Sequence, residues 1–111
     1  MERTFVETKP FTKSWNQVGC TDDDLRGLQA HLAENPETGD LIKGAGGIRK
    51  VRWRNSSRNQ GKSGGVRVFY IDHERKATTY LLMTLDKKER ANLSKEERSE
   101  LGEIAKGLVG G

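Results

Sequence analysis

Residues 41–70 hold eight basic side chains and no acid: Lys43, Arg49, Lys50, Arg52, Arg54, Arg58, Lys62 and Arg67. Solubility is ordinarily served by mixed signs, so an unmixed block points to a polyanion such as a phosphate backbone. Within the block, Gly61-Lys62-Ser63 has the ending of a phosphate-cradling P-loop. That loop needs a glycine five positions before Gly61, and a helix directly after the serine to supply the anion site. Ser56 stands at the first position, and Gly64-Gly65 with the strand-like run Val66–Tyr70 follows Ser63. Both requirements fail, so the cations have to be understood from their neighbours.

Alternation along Ile48–Arg54 puts Lys50, Arg52 and Arg54 on one face with Ile48, and Arg49, Val51 and Trp53 on the other. Three cations at two-residue spacing repel one another unless an anion lies across them. Arg67 joins from the next strand, and Arg58 and Lys62 from the loop between. Gly44, Gly46 and Gly47 precede the basic strand, and Gly61, Gly64 and Gly65 follow it. They permit close backbone approach to a ligand, and plain turn roles fit them equally well. Trp53 reads as core. Tyr70 stays open between core and a platform for base stacking.

No metal or other cofactor is expected. His31 falls on a helix and His73 in a turn, and no Cys/His or carboxylate cluster has ligand spacing. Asp22-Asp23-Asp24 is better placed to cap a helix than to hold magnesium. Cys20 lies beside those aspartates, which raise a thiol pKa and disfavour a nucleophilic role. Phosphodiester chemistry here would run on lysine and arginine, with tyrosine as the remaining candidate.

The elements that must position these groups follow from periodicity. Residues 3–7 alternate as a first strand. Phe11, Trp15 and Val18 mark a helix from Pro10 to about Gly19, and Thr21 caps a second that carries Leu25, Leu28 and Leu32 and ends at Asn35-Pro36. A turn-rich piece runs to Gly47. Strands follow at Ile48–Arg54, Val66–Ile71 and Ala77–Leu85, the last two joined by a hairpin turn at His73–Lys76. Ser94 and Glu97 form a capping box that opens a last helix to about Leu108. The layout predicts an α+β fold, a mainly antiparallel sheet with segregated helices.

The chain has 111 residues and a net charge of +4, with 32% hydrophobic and 32% charged residues. That suits a single domain over 1–111 with a modest core. No run approaches the roughly 18 apolar residues of a membrane span, and the N-terminus lacks a signal peptide's apolar region. With one cysteine, the expected compartment is the reducing cytoplasm.

Three stretches carry a resemblance: NPETGDLIKGAGGIRKVRW, GKSGGVRVFY and YLLMTLDKKERANLSKEER. At these separations they resemble the RelE/HigB superfamily of toxin–antitoxin toxins, closest to the HigB-like branch, over about residues 4–106. The resemblance implies a microbial-ribonuclease-like sheet carrying helices. It further implies a metal-free endoribonuclease that cuts mRNA in the ribosomal A site and is silenced by a cognate helix-turn-helix antitoxin of the HigA kind. In that family the RNA 2′-hydroxyl attacks the adjacent phosphate and expels the 5′-oxygen, while basic side chains offset the phosphorane charge. Arg67 matches the arginine that binds the scissile phosphate. Arg52 and Lys62 match the region that activates the 2′-hydroxyl and holds phosphate, and Lys87 and Lys88 match the basic pair after the last strand. Lys43, Arg49, Lys50, Arg54, Arg58 and Tyr70 complete the expected RNA-binding set. The chain departs from the HigB-like pattern at Leu85, where tyrosine is common, and at Lys88, where asparagine is common.

Two rival readings remain. One is a ParE-type toxin acting on DNA gyrase, against which the basic residues at the nuclease positions argue. The other is a non-catalytic RNA- or ribosome-binding module, which the basic block fits equally well.

Overall fold

The computed structural model describes residues 3–57, 65–90 and 92–109. Its elements run β1 (Thr4–Glu7), α1 (Lys9–Val18), α2 (Asp22–Glu34), β2 (Asp40–Leu41), β3 (Arg49–Trp53), β4 (Val66–His73), a 3-10 turn (Glu74–Lys76), β5 (Thr78–Asp86) and α3 (Lys95–Val109). The expected α+β class holds. The five strands form one sheet in the order β1-β5-β4-β3-β2, antiparallel except where β1 lies parallel to β5.

Local chemistry sets the helix ends. The Thr8 hydroxyl accepts from the Phe11 N–H at the start of α1, and Gly19 in the left-handed region closes it. Two residues later Thr21 and Asp24 form a reciprocal capping box for α2. The two helices bury Phe11, Trp15, Val18, Leu28 and Leu32 against Val51, Val66, Val68, Tyr70 and Leu81 on one face of the sheet. Fully burying a side chain such as Phe11 contributes about 1.5–3 kcal/mol. On the opposite face, Leu101 and Ala105 of α3 join Leu93 over Ile48, Phe69, Ile71, Leu82 and Leu85.

A bulge lies in the β4–β5 pairing, where Phe69 faces Met83 but Tyr70 faces Leu81. The extra residue, Leu82, packs with Phe69 on the α3 face, so the register shifts by one residue there and that face gains an apolar group. Two elements differ from expectation. The two-residue β2 lies within the stretch read as turns, and the hairpin at His73–Lys76 is a 3-10 turn closed by Ala77 at φ 47°.

The expected capping box of α3 is present. The Ser94 N–H donates to Glu97 Oε1 at 2.8 Å, and the Glu97 N–H donates to the Ser94 hydroxyl at 3.1 Å. Arg90 forms an ion pair with the same carboxylate, its Nη2 donating to Oε2 at 2.6 Å. The Arg90 hydrogen bond leads the forces that hold the Glu97 carboxyl at about 2, below its ordinary 4.5. A depressed carboxyl pKa contributes stability that is present above the unfolded value and lost as pH falls through the folded one. Stability should therefore decline between pH 4.5 and about 2. Denaturant titrations across that window check this, and Glu97→Gln should flatten the decline.

Candidate phosphate-binding face

Register across β3, β4 and β5 sets Arg52 opposite Arg67 and Arg67 opposite Leu85. Val66 and Val68 point into the core beneath α1 and α2, so Arg67 between them projects to the other face, with Phe69. Arg52 is exposed, whereas Arg67 retains only 7% of its surface. Its Nη1 is buried and has no hydrogen-bond partner among the described residues. Burial first, and then the Arg52 charge, lower the Arg67 pKa from the ordinary guanidinium value. A guanidinium stays protonated through such a shift, so two like charges are held together with one largely desolvated. An unpaired buried donor beside a second cation is costly in the free protein, and an anion across the pair relieves both costs.

The end of this row is anchored by backbone. The Lys87 N–H donates to the Gly65 carbonyl at 3.3 Å, which fixes the turn after β5 beside the residue that leads into Arg67. Gly65 has φ +102°, and a Cβ there would lie 2.5 Å from the Trp53 carbonyl oxygen. No other residue fits that approach. Lys88 is exposed in the same turn, its N–H held by Asp86 Oδ1 at 3.0 Å. Arg54 is exposed just beyond β3. Lys50 lies one step back along β3 on the Arg52 face, and its Nζ donates to Asn92 Oδ1 at 2.8 Å.

The remaining expected residues divide. Lys43 is exposed in the β2–β3 turn, at the other end of β3 from Arg54. Arg58 and Lys62 lie outside the described residues. Two expectations are corrected. Tyr70 offers no stacking surface: it is fully buried under α1 and α2, on the face opposite Arg67. Its hydroxyl donates to the Pro36 carbonyl at 2.8 Å and accepts from the Gly39 N–H at 3.0 Å, and burial raises its pKa. Arg49, opposite Tyr70 in the register, is likewise turned from the Arg52 face. Its Nη1 donates to the carbonyls of Gly39 at 2.8 Å and Glu37 at 3.2 Å. Both side chains clamp the chain between α2 and β2. Tyr70→Phe leaves the buried Gly39 N–H without an acceptor and should cost about 1–3 kcal/mol, read by urea denaturation.

Trp53 is half-buried and packs against the core, in line with expectation. Its indole N–H donates to the Asp24 carbonyl at 2.9 Å, and its ring meets His31 at 5.4 Å. Asp24 also accepts from the Ser56 N–H at 3.1 Å. Burial opposes ionisation of Asp24, but hydrogen bonds from Thr21 and Ser56 outweigh it and lower the pKa. Sequence reasoning passed over Asn92 and Arg98. Asn92 reaches Lys50 only because α3 folds back over the sheet, and Arg98 stands one turn into that helix. The capping box beside them was the only local signal.

No family model matches the chain. Several solved structures share its fold. The E. coli toxin RelE in the free state, carrying two arginine-to-alanine changes, superposes with a TM-score of 0.63 at 20% identity, covering 94% of this chain and 98% of that one. For the isolated E. coli RelE toxin the TM-score is 0.57 at 18% identity, covering 93% and 99%. For the intact E. coli RelBE toxin–antitoxin complex it is 0.57 at 17% identity, covering 77% and 96%. Over most of its length, this chain has the RelE toxin fold.

Proposed function

We propose that this chain is the toxin of a type II toxin–antitoxin system, an endoribonuclease that cuts mRNA in the ribosomal A site. The observation that carries the reading is the buried, unpartnered Nη1 of Arg67 held opposite Arg52. The RelE-like fold and the motif run around Gly46–Arg67 support it. Assignment to the HigB-like branch rests on the motif run alone.

In the proposed reaction the 2′-oxygen loses its proton and bonds to the adjacent phosphorus, and the phosphorus–5′-oxygen bond breaks. The 5′-oxygen takes up a proton, leaving a 2′,3′-cyclic phosphate. Arg67 contacts the phosphate oxygens, where a planar two-pronged donor matches the developing charge. Arg52 adds positive charge across the row. Lys62 and Lys87 are the candidates for proton transfer. Lys50, Arg54, Lys88 and, farther out, Lys43 hold the RNA and ribosome backbone, and Arg58 joins them. These cations take the charge-stabilising part, so the reaction needs no metal. The partner that silences it is a helix-turn-helix antitoxin, and the site of action is the cytoplasm.

Expression without an antitoxin tests this reading. Growth and translation should stop, with mRNA cut within codons on translating ribosomes. Intact mRNA accompanied by DNA damage would instead identify a gyrase poison.

A further inference from the structure

Next to the Arg52–Arg67 row, the same face carries a row formed by Asp40 on β2, Lys50 on β3, Phe69 on β4 and Met83 on β5. This second row underlies a cleft of about 190 Å³ whose lining includes Asp40, Lys50, Phe69, Asn92, Leu93 and Arg98. The space equals roughly six water volumes at about 30 Å³ each, room for one planar ring system. Phe69 and Leu93 are buried and, with Leu41 and Ile42 at the rim, give the cleft an apolar surface, while Asp40, Lys50, Asn92 and Arg98 supply its polar groups.

Those polar groups have defined senses. Lys50 has only donors, so the Asn92 atom it meets at 2.8 Å is the carbonyl oxygen, and the Asn92 Nδ2 is left to donate elsewhere. Asp40, opposite Lys50 in the register, is exposed and supplies acceptors. Arg98 supplies a second cation. An apolar bed with a donor and an acceptor at its edge, flanked by cations, has the complement of a nucleobase beside its phosphate. Two residues of β3, about 7 Å, separate Lys50 from Arg52, a span that one nucleotide of extended strand covers.

We propose that this cleft seats the base of the nucleotide adjoining the phosphate at Arg67, and that Asp40 and Asn92 read its edge. Asp40 accepts from an exocyclic amino group, as a carboxylate does from the cytosine amine. Asn92 Nδ2 donates to the neighbouring ring nitrogen or carbonyl. The cleft therefore disfavours uracil, which has no amino group. This assignment rests on the ribonuclease reading for its phosphate neighbour.

The test is a titration of the 15N-labelled chain, followed by NMR, with CMP, AMP, UMP and inorganic phosphate. CMP and AMP should shift the Asn92 side-chain amide and the Phe69 backbone amide, with UMP requiring roughly tenfold higher concentration. Inorganic phosphate should shift signals around Arg67 and leave Asn92 unmoved. Asp40→Asn should remove the difference between CMP and UMP while the response to inorganic phosphate persists. Nucleotides that move Arg67 but not Asn92, or equal binding of CMP and UMP, would overturn the base assignment and leave the ribonuclease reading standing. Shifts at Asn92 with none at Arg67 for any ligand would keep the base cleft and overturn the phosphate placement.

Discussion

Arg67→Ala should lower the cleavage step by about 10²–10³, which is on the order of 3–4 kcal/mol for one lost transition-state donor. Arg67 sits on β4, the central strand of the sheet, with β3 on one side and β5 on the other, so its guanidinium is aimed before any substrate arrives. Preorganisation of this kind matters most where water is scarce, and Arg67 is 7% exposed. The substitution removes a buried guanidinium with an unpartnered Nη1, so stability should be unchanged or raised. Loss of activity with unchanged or raised stability is the signature of a residue kept for its ligand. Lys43→Ala makes the contrast. An exposed cation at the far end of β3 contributes to association, so its loss should weaken ribosome binding and reduce the salt dependence by roughly one charge, as should Arg58→Ala. Single-turnover cleavage on saturated ribosomes separates the two classes. Normal cleavage by bound Arg67→Ala, with a chemical defect in Lys43→Ala, would move the active site to the other end of β3.

Gly65→Ala should be the most damaging methyl group in the site. Its backbone is at φ +102°, and the new Cβ would stand 2.5 Å from the Trp53 carbonyl oxygen, a backbone atom with no flexible side chain to yield. Strained backbone of this kind costs about 1–3 kcal/mol before the contact is relieved. Relief requires β3 and β4 to part where Trp53 faces Val66, which also displaces Arg67 and the Lys87 N–H held by the Gly65 carbonyl. Stability and cleavage should therefore fall together, unlike the Arg67 result. Thermal unfolding and single-turnover cleavage measured on the same sample check it. Gly44→Ala is the control: that glycine has φ +75° but nothing within 4 Å of an added Cβ, so it carries the backbone strain without the contact.

The parts of the fold written in local chemistry were legible. Thr21 before three aspartates, and Ser94 with Glu97, announced two helix starts, and the structure has both helices, each with a capping box. Alternation from Ile48 to Arg54 sorted the basic strand into two faces, and the register places Lys50 and Arg52 on the face that Arg67 shares. Alternation cannot say which face the helices cover. Arg49 and Tyr70 fell together on the other face, and α1 and α2 pack there, so an expected stacking tyrosine became a buried strut. The strand β2 is two residues long and exists only through pairing with β3, which no local pattern encodes. Asn92 was illegible for the same reason. Its meeting with Lys50 spans 42 residues of chain and depends on where α3 lands.

If this basic face breaks RNA through the RNA's own 2′-hydroxyl, removing that hydroxyl must abolish the reaction. The most direct measurement uses ribosomes programmed with an mRNA that carries a single 2′-deoxynucleotide at the position normally cut. Cleavage there should disappear, while the all-ribose message yields a 2′,3′-cyclic phosphate and a free 5′-hydroxyl. Equal cleavage of the deoxy-substituted message at that position would contradict it.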